Sequence, residues 1–140
     1  MPYLIQRKFD CAPEMLWHAI TDRNAMAKWY FKLDEFRAEP GFEFSFEGGP
    51  EDRIYIHECK VIDVIPNRQL SYSWTYKGIA GYTVVNWELI PDGDGTLLKL
   101  THSGLESFPA DNPDLAAENY DKGWTHIINT PLVNYIEGQR

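Results

Sequence analysis

The sequence predicts an α+β fold in which an antiparallel sheet curves around one long C-terminal helix. Three patterns carry that prediction. Apolar and aromatic residues alternate with polar ones through most of residues 36–102, the period of half-buried strands. Residues 115–137 switch to spacings of three and four, which put Ala116, Tyr120, Gly123, Trp124, Ile127, Ile128, Pro131 and Tyr135 on one helix face. Such a helix is roughly 34 Å long and needs a surface to bury against; the sheet is the surface this chain supplies.

The chain begins with residues 3–10, which read as a first strand. Ala12-Pro13-Glu14 opens a short helix with Met15, Leu16, Ala19 and Ile20 on one face and Trp17 nearby. Thr21-Asp22 interrupts it, and the Asp22 carboxylate suits the cap of a second short helix through Trp29, the pair making one corner. Phe42, Phe44 and Phe46 then alternate with polar partners, and Glu47-Gly48-Gly49-Pro50 is a turn. Residues 54–65 form a long strand ended by Pro66-Asn67. Leu70, Tyr72, Trp74 and Tyr76 against Ser71, Ser73 and Thr75 make the clearest two-sided strand.

After a loop at 77–81, Thr83, Val85, Trp87 and Leu89 face one way, with Asn86 and Glu88 the other. Pro91-Asp92-Gly93-Asp94-Gly95 is a hairpin turn, and Leu98, Leu100 and His102 line one face of the last strand. A polar loop, residues 103–111, leads to Asn112 and Pro113. These start the long helix with a capping oxygen and a helix-ready φ. Pro131 removes the hydrogen bond to the Ile127 carbonyl and predicts a kink there. The sum is six to seven strands, two short helices after the first strand and one long helix. Short turns imply antiparallel pairing. With no repeat or linker, a single domain over residues 1–140 is expected.

Composition narrows the function. The chain is 44% apolar and 14% aromatic, with five Trp and eight Tyr, so it is globular and rich in rings. A net charge of −8 opposes phosphate backbones, and no nucleic-acid partner is expected. The chain has no apolar run long enough to span a membrane and no secretory leader pattern, so the cytoplasm is the expected compartment. Cys11 and Cys59 form no close-spaced pair.

Motif chemistry is sparse. His57-Glu58 lacks the second histidine of a zinc-protease helix, since Val61 stands at that position. His18, His57, His102 and His126 do not fall at ligand spacing, and no metal or other cofactor is expected. Asp92-Gly93-Asp94-Gly95 lacks the later oxygen ligands of a calcium loop, and Gly48-Gly49 lacks the lysine of a phosphate loop. Ser103 follows His102 on a strand, so their side chains point to opposite faces and cannot form a nucleophile–base pair.

Phe9, Pro13-Glu14, Trp17 and Trp29 are similar to the opening of the START-like (SRPBCC, birch-pollen-allergen-like) superfamily. The run from Val61 to Leu70 through Ile65-Pro66-Asn67-Arg68, followed by Trp74, more specifically resembles homologues of the heat-shock-protein-90 ATPase activator C-terminal domain. Gly95-Thr96, Leu98, Leu100-Thr101-His102, Gly104 and Gly123-Trp124 extend that resemblance over nearly the whole chain. It implies a helix-grip fold. It also implies one of three roles: a carrier of small hydrophobic molecules, a polyketide cyclase or aromatase, or a chaperone-associated module. Chaperone activators carry a further N-terminal domain; this chain is expected to stand without one, which places that role last.

Alternation assigns the candidate cavity. From the sheet come Phe44, Phe46, Tyr72, Trp74, Tyr76, Val85, Trp87, Leu100 and His102. His57, Cys59 and Val61 join them from the long strand unless a bulge flips it, and Tyr120, Trp124, Ile127 and Ile128 face them from the helix. These residues either pack as a dry core or surround a small hydrophobic or aromatic ligand. His57 and His102 are the acid–base candidates should a substrate carbonyl come within reach. A monomer or a homodimer is expected, with an edge strand or the surface around Trp29-Tyr30-Phe31 as the dimer contact.

Overall fold

Alternation becomes strands wherever one face meets the core. The computed structural model describes residues 2–49 and 53–139. Strands β1 (Tyr3–Phe9), β2 (Glu43–Gly48), β3 (Tyr55–Ile65), β4 (Gln69–Tyr76), β5 (Thr83–Asp92) and β6 (Gly95–Ser103) form one antiparallel sheet in the order β1-β6-β5-β4-β3-β2. The sheet is curved and open, and the C-terminal helical segment packs on it in the helix-grip manner. On β5, Thr83, Val85, Trp87 and Leu89 are buried, as are Leu98, Leu100 and His102 on β6. Gly93, at φ 60°, takes the first central position of the two-residue β5–β6 turn, which needs a left-handed residue there.

β3 carries a bulge. Its register against β4 shifts between Val61 and Asp63, past His57, Cys59 and Val61, so these three keep their alternation and are buried, while Asp63 is turned outward beside Ile62. Ser71 and Ser73, on the other face of β4 from Tyr72 and Trp74, are also buried. Ser73 Oγ accepts the Lys60 N–H at 3.0 Å and Ser71 Oγ accepts the Asp63 N–H at 3.2 Å. Two backbone donors beside the irregular ladder are thereby satisfied.

Helices α1 (Pro13–Thr21) and α2 (Arg23–Trp29) meet at Asp22, whose carboxylate accepts from Ala25 N at 2.9 Å. The Trp29 indole donates to Ala19 O at 2.8 Å and fixes one helix to the other. The Trp29-Tyr30-Phe31 segment is not a surface patch. Trp29 is buried, and Phe31 turns inward to stack on Phe46 with ring centroids 4.1 Å apart. The 103–111 loop is likewise less polar than expected, because Leu105 and Phe108 plug the core.

The long helix is three pieces. Asn112 caps as expected, with Oδ1 accepting Asp114 N at 3.0 Å, but it caps only a 3₁₀ turn, Pro113–Leu115. Ala116 then reverts to extended backbone and α3 (Ala117–Ile127) begins two residues later than the spacing predicts. Pro131 is accommodated by a π turn, Ile128–Leu132, before α4 (Val133–Gln139). A π turn takes one more residue per turn and so rotates α4 about the helix axis relative to α3. The buried row therefore runs Tyr120, Trp124, Ile128, Leu132 and Ile136, while Pro131 and Tyr135 are only half-buried.

Candidate functional site

Three networks of polar atoms shape the space between the sheet and α3. The first begins at Trp124, whose indole N–H donates to His102 Nδ1 at 3.0 Å. An indole can only donate, so Nδ1 is the acceptor and the ring proton of the neutral imidazole sits on Nε2. Nε2 lies 2.9 Å from Thr83 Oγ1, and Thr83 donates its own proton to the Trp74 carbonyl at 2.6 Å. Both ring nitrogens of His102 are engaged along this line. Burial lowers the His102 pKa to about 3, so the ring is neutral. His102 is thus a tie between helix and sheet, with nothing left over for proton transfer to a substrate.

The second network starts at Trp74 Nε1, which donates to Tyr76 Oη at 2.9 Å; Tyr76 Oη lies 2.8 Å from Tyr120 Oη. Burial raises the pKa of both phenols, so both are neutral. The third sits at the rim. Arg53 grips Asp114 through two hydrogen bonds of 2.7 and 3.0 Å, and Tyr55 Oη donates to the same carboxylate at 2.6 Å. The Arg53 and Tyr55 hydrogen bonds hold the Asp114 carboxyl below its ordinary range. This clamp joins the start of β3 to the turn ahead of α3.

Between these networks lies a cavity of about 530 Å³. Its walls are Phe31, Tyr55, His57, Trp74, Tyr76, Leu115, Tyr120, Trp124 and Ile127, and its rim is Gly48, Gly49, Arg53, Asp114, Asn119 and Gly123. His57 is buried, and its ring stacks on Phe46 at 4.4 Å and stands edge-on to Trp74 at 5.0 Å. Its Nδ1 is 3.2 Å from the Tyr55 carbonyl, which makes Nδ1 the protonated nitrogen and Nε2 the acceptor. Burial lowers its pKa to about 4, with backbone hydrogen bonds to Tyr55 and Phe46 offsetting part of the effect. At neutral pH the ring is uncharged.

Of the residues assigned to a cavity from sequence, the structure brings His57, Trp74, Tyr76, Tyr120, Trp124 and Ile127 around this volume. Phe44, Phe46, Cys59, Tyr72, Val85, Trp87, Leu100, His102 and Ile128 are buried away from it, in the core. Phe46 stands one layer behind, against Phe31 and His57. Sequence reasoning missed Phe31, Tyr55, Leu115 and the whole rim. Gly123, read as packed against the sheet, instead lies at the rim, and a Cβ built on it meets nothing within 4 Å. Among the described residues no three His, Cys, Asp or Glu side chains converge on a metal-sized site, and no helix is long and apolar enough to cross a membrane.

Comparison with known proteins gives one family. The family model described as Activator of Hsp90 ATPase homolog 1-like protein matches residues 10–137. Among solved structures, the chain is similar to protein CV1439 from Chromobacterium violaceum, with 21% identity, a TM-score of 0.81, and coverage of 97% of this chain and 96% of that one. It is similar to CalU16 from Micromonospora echinospora, with 24% identity, a TM-score of 0.74, and coverage of 96% and 75%. It is also similar to DynU16, a protein of the dynemicin biosynthetic locus, with 19% identity, a TM-score of 0.79, and coverage of 99% and 48%. At these identities the likeness is one of fold. No curated protein matches the sequence.

Proposed function

We propose, from the premise that the chain belongs to the Activator of Hsp90 ATPase homolog 1-like family, that it holds a small hydrophobic or aromatic molecule in the cavity between the sheet and α3. The observation that carries this reading is a volume of about 530 Å³ walled by aromatic rings. Ligand sites of drug-sized molecules run from about 300 to 1,000 Å³ with mostly apolar walls and a few placed polar groups. The rings are fixed in advance: Trp74, Trp124 and Tyr76 are each held by hydrogen bonds. Walls that need no ordering on binding lose less entropy to it. Thermal melting against a panel of neutral ring compounds tests the reading. A compound that binds the folded state raises stability by about 2.7 kcal/mol at a hundredfold excess over Kd. If no compound raises the midpoint, the reading fails.

A second reading, a cyclase or aromatase-type enzyme, is favoured by the fold shared with DynU16 and the biosynthetic locus that protein belongs to. Its acid–base group would be His57, the histidine that borders the cavity. A ring whose pKa is about 4 is a weak base at neutral pH and a better hydrogen-bond partner, so ligand holding ranks first. Turnover of a polyketide substrate that persists in His57→Ala would remove the enzymatic role of this residue. A chaperone-assisting role has the family's description behind it, and a pull-down with the chaperone's middle segment tests it.

A further inference from the structure

The Trp74–Tyr76–Tyr120 line in the cavity wall holds one hydrogen-bond donor more than the three residues can use among themselves. Three protons meet at the Trp74–Tyr76–Tyr120 line: one indole N–H and two phenol O–H groups. Trp74 gives its proton to Tyr76 Oη, and a second proton closes the contact between the two phenol oxygens. Whichever phenol donates in that contact, the proton of the other has no acceptor among the described residues. Both tyrosines border the cavity, and both are buried. An unsatisfied donor in such a place is costly, and a ligand acceptor removes the cost.

Charge narrows the acceptor further. Burial keeps Tyr76, Tyr120 and His57 uncharged, and the rim charges of Arg53 and Asp114 are paired with each other. An ionised ligand group would sit unpaired in the interior at high cost, so the acceptor is neutral. The surrounding rings of Phe31, His57, Trp74 and Trp124 favour a flat unsaturated body, which stacks or meets them edge-on. Resting on the ligand-holding role above, we infer that the ligand is a neutral aromatic compound that presents a carbonyl oxygen to the Tyr76–Tyr120 hydroxyl pair.

The test is a matched pair of probes, 9-fluorenone and fluorene, which differ by one carbonyl oxygen, titrated by tryptophan fluorescence. Fluorenone should bind the wild type roughly three- to tenfold tighter than fluorene, the effect of one buried hydrogen bond. A fluorenone carboxylate should bind more weakly than fluorenone. In the Tyr76→Phe/Tyr120→Phe double variant the preference for fluorenone should fall below about twofold, with fluorene binding retained. The Tyr120→Phe single variant should keep the preference, because the Tyr76 proton is then the one left over. In the wild type, where folding is not in question, the carbonyl stretch of bound fluorenone should move to lower frequency than in an alkane. Equal, saturable binding of the two probes, or an unmoved carbonyl stretch, overturns the carbonyl inference and leaves the ligand-holding role standing. Saturation by neither probe overturns both.

Discussion

Trp124 on the helix donates its indole N–H to His102 Nδ1 on β6 at 3.0 Å, so one wall of the cavity is bonded to the sheet. His102 is fully buried and passes the tie on through Thr83 to the backbone of β4. The cavity's shape therefore depends on a histidine that does not line it.

Replacing His102 by Leu leaves the Trp124 N–H without a partner in the core. An orphaned buried donor costs about 1–3 kcal/mol, and the lost Thr83 contact adds to it, so the variant should be less stable by roughly 2–4 kcal/mol. Urea denaturation at pH 7 measures this. A change below about 0.5 kcal/mol would mean the tie is not made in solution.

Acid should expose the same histidines. In the unfolded chain both titrate near pH 6.5; in the fold His102 is lowered to about 3 and His57 to about 4. Below pH 6.5 the unfolded state therefore binds more protons, and stability falls as the pH drops toward 4. The slope is about 1.4 kcal/mol per pH unit for each histidine. That stability is fully present above pH 6.5. His102→Leu should remove one proton from the slope between pH 6.5 and 4.5, and His57→Leu/His102→Leu should remove two. Denaturation curves at pH 7.0, 6.0 and 5.0 decide it, and parallel slopes in all three proteins would refute the assignment.

Ser73→Ala tests the hydroxyl that serves the β3 backbone. The Lys60 N–H would lose its acceptor at 3.0 Å, and a loss of roughly 1–3 kcal/mol is expected in the same denaturation assay. Amide hydrogen exchange should quicken at Lys60 and stay unchanged on β5. Uniform protection across β3 would contradict the role given to the serine.

Asp114→Asn removes the charge that Arg53 grips at the rim. The thermal midpoint should hardly move, because Arg53 is an exposed partner and such pairs contribute little. Dissociation of a bound ring compound, followed by stopped-flow fluorescence, should become faster. An unchanged off-rate would separate the clamp from ligand exchange.

The sheet was legible in the sequence because one face of each strand is buried, and burial writes a period of two. His57, Trp74 and Tyr76 were placed at the cavity by that alternation alone. Period says which way a side chain points and nothing about what meets it. Tyr72, Val85, Trp87 and Leu100 point the same way but are fully buried, Trp87 under Trp29 and Tyr30 and Tyr72 bonded to the Tyr30 hydroxyl. Phe31, Arg53 and Asp114 reach the site from irregular segments brought together by the tertiary fold, which leave no periodic signal. The helix was legible as a face but not as a path. Its early start was misjudged because Asn112 caps a 3₁₀ turn, and its last residues are offset because a π turn absorbs Pro131.

The most direct test of the cavity as a ligand site uses Gly123, at its rim, where an added side chain meets nothing within 4 Å. Gly123→Ala should stabilise the helix by about 0.5–1 kcal/mol through propensity and leave the cavity open. Gly123→Phe should close the mouth while the protein stays folded. The measurement is titration with the neutral fluorophore N-phenyl-1-naphthylamine, whose emission rises in apolar surroundings. The account predicts saturable one-to-one binding to the wild type and to Gly123→Ala, and its loss in Gly123→Phe. Binding that is unsaturable in the wild type, or equal in all three proteins, would contradict it.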